Sequence, residues 1–269
     1  TADVISTISR RSIGAYHRAM YSGANIVVAA AGNLTHEKLV TLLQRFEHNG
    51  TAHGRTPTRR PLVRTPAPGL RFQRKDTEQY HLCLGAPGIS RSDRRRFAAS
   101  LLDGILGGSA SSRLFQEIRE KRGMAYSVYS FASQYTDTGL IGVYVGTREE
   151  NLAQCVEICV DQVADIAGGN LRAGELERAK ESLKGRIMLS MESTSNRMSR
   201  LGKSVITETE LMTFDRIFAE IDAVEPDELA ELAGVLLSPA GLSAAGVGPD
   251  EDRFRNAVER ANPVLLVAA

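Results

Sequence analysis

Apolar residues recur along this chain at two periods, and the switches between them mark out the elements. Alternation with period two predicts strands over Leu70 to Arg74, Gln79 to Gly85, Gly139 to Gly146 and Gly241 to Val247. Helical spacing predicts long helices over Ser92 to Leu106, Glu149 to Ile166 and about Gly174 to Met191. In the last of these, Leu176, Ala179, Leu183 and Ile187 make one apolar face. Shorter helices are predicted over Asn196 to Ile206, Glu210 to Ile221 and Pro226 to Leu237, where Pro226 suits a first-turn position. Strands followed by a block of helices give an α+β class. The expected form is an αβ-roll, a mainly antiparallel sheet backed by helices on one face.

The stretch Leu106 to Phe131 changes period with no slack between its parts. Gly107 and Gly108 permit a tight turn. Ser109, Ser111 and Ser112 offer N-cap oxygens to a short helix carrying Leu114, Phe115 and Ile118. Lys121 and Arg122 fall in its last turn, and Gly123 stands where a left-handed cap residue is expected. A strand then alternates Ala125, Ser127, Tyr129 and Phe131 with Met124, Tyr126, Val128 and Ser130. This reversal brings Arg119 close to Tyr126, and a guanidinium and a phenol at such a corner can hold a peptide carbonyl. The competing reading pairs Arg119 with Glu117 or Glu120 and packs Tyr126 into the sheet.

Two segments repeat one pattern of helix, small-residue turn, buried strand and glycine. They are Ser12 to Asn33 and Glu228 to Pro249, and Gly32 and Gly248 fix the offset at 216 (248 − 32). Amphipathic stretches follow both, over Thr35 to Phe46 and Asp250 to Arg260. Such a repeat signals duplicated domains. The expected organisation is the tail of a first domain over residues 1–48, a linker over 49–69, and a complete second domain of the same fold over 70–269. Four prolines in the run Arg55 to Gly69 oppose regular structure there.

Composition narrows the function. Thirty-three basic residues against 32 acidic give a net charge of +1, which does not favour nucleic acid or a membrane surface as partner. An RNA-binding module using Arg55 to Arg64 and Arg91 to Arg96 stays as an alternative, without interleaved aromatics in the first run. No apolar run reaches the roughly 20 residues that span a bilayer. Cys155 and Cys159, four apart amid Leu152, Val156 and Val160, read as core side chains rather than half a metal site. With Cys83 they make no disulfide framework, and a reducing compartment is expected. A Walker phosphate loop and a G-x-S-x-G elbow are both absent from the sequence.

Gly107-Gly108, Ser112-Arg113-Leu114-Phe115, Arg119-Glu120 and Tyr126-Ser127-Val128-Tyr129 together resemble the second domain of the pitrilysin and mitochondrial processing peptidase family, the M16 zinc metallopeptidases. Gln79-Tyr80-His81 ahead of Gly85, and Glu175 to Lys180, extend the likeness over nearly the whole chain. The resemblance implies a peptidase whose zinc sits in a His-x-x-Glu-His motif of the first domain. None of the five histidines, His17, His36, His48, His53 and His81, belongs to such a motif. Zinc is therefore expected in the intact parent, with ligands upstream of Thr1, and no metal or catalytic residue is expected on this chain. The resemblance also implies substrate binding by Arg119 and Tyr126, seven residues apart, across a chamber from the zinc. Implied partners are the N-terminal part of the same protein, a second copy or homologous subunit in a dimer, and peptide substrates, with neither nucleic acid nor membrane. The alternative within the family is a non-catalytic partner subunit. The expected location is a bacterial cytoplasm, with the mitochondrial matrix as alternative.

Overall fold

The structure, a computed structural model, describes residues 2–47 and 67–266. Before the break lie helices α1 (Ala2–Thr7), α2 (Arg10–Met20) and α3 (His36–Glu47). After it come strands β1 (Leu70–Arg74) and β2 (Tyr80–Gly88), helix α4 (Arg96–Leu106), a π-helical turn (Phe115–Glu120), and strands β3 (Ala125–Gln134) and β4 (Gly139–Thr147). Helices α5 (Leu152–Ala167), α6 (Glu175–Ser190), α7 (Thr194–Ile206), α8 (Phe214–Asp222) and α9 (Pro226–Leu236) follow. Strand β5 (Ser243–Gly248), helix α10 (Glu251–Val258) and a 3₁₀ turn (Pro263–Leu266) close the described chain. His48, His53 and the arginines at 55, 59, 60 and 64 lie outside the described residues. No described helix is long and apolar enough to cross a membrane.

The chain divides into two compact units. One holds the described part of residues 1–62 with 189–211, and the other holds the described part of 63–188 with 212–269. The larger unit has the expected α+β build. Its five strands run in the order β1-β5-β2-β4-β3, parallel only between β1 and β5. Alternation in β2 buries Tyr80, Leu82, Leu84 and Ala86 on one face. Leu101 and Leu102 of α4, Cys155 and Val156 of α5, Leu229 and Leu232 of α9, and Phe254 of α10 join the same core. Each such large apolar side chain contributes roughly 2 kcal/mol by leaving water. Pro226 stands in the first turn of α9, as its missing N–H allows. Cys155 and Cys159 are buried and free, and burial pushes both thiols upward in pKa.

The smaller unit departs from its expected pattern. Helix α2 forms and is capped by Ser9, whose hydroxyl accepts the Ser12 N–H at 3.1 Å. The helix at Arg10–Met20 and the 3₁₀ turn at Gly23–Asn25 reproduce α9 and the turn Pro239–Gly241 at the 216-residue offset. The expected buried strand after that turn does not form. Residues 26–31 join no ladder, and Ile26, Val27 and Val28 are exposed. An extended segment becomes a strand only when neighbours take its N–H and C=O groups. No described strand does so here.

Candidate functional site

The reversal between the π-turn and β3 is the candidate site, and it lies within the larger unit. Its turn widens from α to π geometry: the Lys121 N–H reaches the Gln116 carbonyl at 3.0 Å, five residues back. The serines do not cap it as expected, since Leu114 is the N-cap and offers no side-chain bond. Ser112 instead donates to the Ser109 carbonyl at 2.6 Å, closing the loop before the turn. Gly107 is required because a Cβ there would meet the Ser130 nitrogen at 2.2 Å. Gly123 adopts φ of 62°, the left-handed value its position called for. The Gly123 and Met124 N–H groups then donate to Arg119 and Ile118 carbonyls at 3.0 and 2.9 Å.

Strand β3 does not keep a single alternation. Ala125 pairs with Thr147 and Ser127 with Gly146, so Tyr126 is the extra residue of a bulge. Ala125 and Val128 both face the core, while Ser127 and Tyr129 share the open face. The bulge turns Tyr126 outward, where it is 78% exposed.

Arg119 and Tyr126 are in contact. The guanidinium carbon lies over two rings, 4.7 Å from the Tyr126 centroid and 4.7 Å from that of Phe115. Two rings therefore contact the cation, and stacking of this kind suits arginine's planar group. Nη1 donates to the Tyr126 carbonyl at 3.2 Å. Nε stands 3.7 Å from Glu120, a loose contact on an exposed flank. Glu117 is not the partner of Arg119. It binds Lys121 and Arg122 at 2.7 Å and Arg172 at 3.0 Å. Hydrogen bonds from Lys121 and Arg122 hold its carboxyl pKa down to about 2. Among the described residues, one hydrogen bond engages the five guanidinium donors of Arg119, the one to the Tyr126 carbonyl. Tyr126, whose ring they lie over, is itself exposed. Such a pair can donate to one carbonyl oxygen.

Arg113, of the Ser112-Arg113-Leu114-Phe115 motif, is fully buried. It donates to Glu175 through Nε at 2.9 Å and Nη2 at 2.6 Å, to Asp165 at 2.8 Å and to the Asn170 carbonyl at 2.7 Å. Burial lowers its pKa, but the Glu175 bonds and the two carboxylate charges outweigh that and raise it. A second feature escaped the sequence because it spans three strands. On the open face, His81 Nδ1 meets the Tyr144 hydroxyl at 2.7 Å, and the Tyr144 ring stacks on Tyr129 at 4.9 Å. Only the registers Cys83↔Tyr144 and Tyr129↔Tyr144 bring these rings together.

The described residues do not fit a zinc site. No three of their His, Cys, Asp and Glu side chains are grouped to hold a metal ion. His17 stacks on Tyr21 at 4.6 Å, and His81 is engaged with Tyr144. Of the 91–96 arginines, Arg91 donates to the Gln134 carbonyl and Arg95 pairs with Asp93.

Comparison with known proteins identifies the family. Residues 7–183 match the family described as the peptidase M16 inactive domain. A Streptomyces coelicolor protein described as an uncharacterized zinc protease is 38% identical over 263 residues, covering 94% of this chain and 56% of the relative. A Bacillus subtilis protein of the same description is 34% identical over 90% of this chain and 60% of the relative. The chain thus spans little more than half the length of these relatives. The crystal structure of a peptidase M16 inactive domain from Pseudomonas fluorescens superposes with a TM-score of 0.83 at 23% identity, covering 93% of this chain and 60% of that one. That likeness concerns the fold. Matched over most of its length in sequence, this chain belongs to the peptidase M16 family, as the inactive-domain portion of a zinc protease-like protein.

Proposed function

We propose that this chain is the substrate-binding wall of a zinc-dependent endopeptidase that cleaves peptides inside an enclosed chamber. On this reading the zinc ligands lie in a part of the full-length protein outside residues 1–269. Residues 1–48 end that first domain, 49–69 link it to the second, and a second copy closes the chamber. The names of the bacterial relatives support zinc and proteolysis for the whole protein. Three free cysteines and bacterial relatives favour work in a bacterial cytoplasm.

One observation carries the role of this chain: the Arg119 guanidinium is held against the rings of Phe115 and Tyr126, and Tyr126 is exposed. Rigid donors held before substrate arrives need little reorganisation when charge develops on a carbonyl oxygen. In the full-length protein, Arg119→Ala and Tyr126→Phe should each lower kcat by about 10²-fold, the scale of losing one such donor. Bound zinc and melting temperature should not change. Unaltered turnover in both variants would remove the substrate role. A full-length protein that binds no zinc and cleaves no peptide would turn the reading to a non-catalytic partner subunit.

A further inference from the structure

We propose that Glu117 is a positioning residue: its carboxylate closes the corner that lays the Tyr126 ring on the Arg119 guanidinium. This inference rests on the reading of Arg119 and Tyr126 as the substrate-contacting pair. Neither of them touches Glu117 through a side chain. Its effect runs through the backbone path between them, from the middle of the π-turn to the bulge of β3.

The corner consists of Lys121, Arg122 and Gly123. Its backbone bonds span few residues, from Gly123 to Arg119 and from Met124 to Ile118. Glu117 adds the side-chain ties. Oε1 accepts from Lys121 Nζ at 2.7 Å, and Oε2 from Arg122 Nη1 at 2.7 Å. The same Arg122 nitrogen donates to the Glu117 carbonyl at 2.8 Å. Both residues that follow the π-turn are thereby drawn back over its centre.

A third tie fixes the corner to the rest of the unit. Arg172, in the loop before α6, donates to Glu117 Oε1 at 3.0 Å. The Arg172 backbone N–H donates to Glu175 Oε2 at 3.0 Å, and Glu175 is the carboxylate that grips buried Arg113. The π-turn is thus clamped on both sides of Phe115, by Arg113 two residues before it and by Glu117 two residues after. Phe115 is one of the two rings that hold Arg119. A wide turn held by five-residue-back bonds is a rare form that persists where its surroundings fix it.

The two clamps differ in what their loss does. Removing Arg113 strands the buried Glu175 carboxylate and threatens folding. The three cations on Glu117 are 42–56% exposed, and water can take over their solvation. Glu117→Gln keeps the shape and removes the charge, so the chain should fold with its corner loosened.

The test needs neither metal nor substrate. In the 269-residue chain, the Arg119 guanidinium lies over two aromatic rings, so its Nε–Hε proton should resonate upfield of an unstacked arginine. Its signal is assigned by its loss in Arg119→Lys. Glu117→Gln should remove most of that displacement while the melting transition stays cooperative, and Glu117→Asp should restore part of it. Should Glu117→Gln fail to fold, the double variant Arg122→Gln with Arg172→Gln carries the same measurement from exposed positions. An unmoved Arg119 signal in the folded variant overturns the inference. In the full-length protein, Glu117→Gln should lower kcat about tenfold with KM little changed, as expected for a misplaced transition-state contact. A moved signal with unaltered turnover leaves the positioning role standing and takes the substrate role from Arg119, so the two readings fail separately.

Discussion

The two copies of the helix–turn–strand pattern have nearly the same local structure and opposite environments. Helices α2 and α9 share bounds at the 216-residue offset, and so do the 3₁₀ turns after them. Yet Leu229 and Leu232 of α9 are buried, whereas Ile13 and Tyr16, which stand at the same places in α2, are 54% and 63% exposed. Leu242 is 6% exposed and its counterpart Ile26 is 51% exposed. Strand β5 lies between β1 and β2, while residues 26–31 have no described strand beside them. A helix closes its own hydrogen bonds and survives this difference. A strand depends on its neighbours and does not.

Amide hydrogen exchange breaks or sharpens this comparison most directly. Amides of β5 should open only with the larger unit, giving protection on the order of 10⁴-fold or more, while residues 26–31 exchange at nearly free-peptide rates. Equal protection of both segments would show that the first copy has strand partners. In the full-length protein, where the proposed first domain supplies such partners, 26–31 should become slow as well.

Matched truncations give the next largest effect. Leu229→Ala should cost about 2–5 kcal/mol of unfolding free energy, because it leaves a cavity in a closed core. Ile13→Ala at the same place in α2 should stay within about 0.5 kcal/mol. Denaturant unfolding of both variants measures the difference, and similar losses would mean that α2 is as buried as α9.

The smallest effect asks whether charge adds to burial in the larger unit. The Glu117 carboxyl is held at about 2 in the fold, against 4.5 for the free group. A depressed carboxyl stabilises fully above the unfolded value and loses that contribution as pH falls from 4.5 toward 2. Linkage limits the amount to roughly 3 kcal/mol, and solvent around its half-exposed cations cuts it to about 1 kcal/mol. Glu117→Gln should therefore flatten the acid limb of stability between those values. An unchanged limb would assign the stability of this unit to its core alone.

Much of the fold was legible because it is written in local spacing. The apolar stripe Leu176, Ala179, Leu183 and Ile187 does pack on the core, and Cys155 and Cys159 are buried as their neighbours implied. Gly123 has the positive φ expected of a residue ending a helical turn. At the candidate site the sequence placed Arg119 near Tyr126 but missed how they meet. One bulged residue shifts every later side chain of a strand to the other face, and nothing in the alternation of residues 124–131 announces it. Phe115 shares helical spacing with Leu114 and Ile118 in the sequence, and in the structure it is the second ring on Arg119. The burial of Arg113 is not legible in the sequence, because its partners Asp165 and Glu175 lie 52 and 62 residues away.

By itself the sequence determined what depends on near neighbours: the helices, the tight glycine turns, the apolar faces and the class of fold. Tertiary structure decided what depends on distant groups. It widened the turn before the corner, turned Tyr126 out of the sheet, buried Arg113 among carboxylates and left residues 26–31 without a ladder. The reason is the range of the interactions. Backbone bonds within a turn close over three to five residues, whereas strand pairing and buried charge pairs require partners that the chain brings together only when it folds.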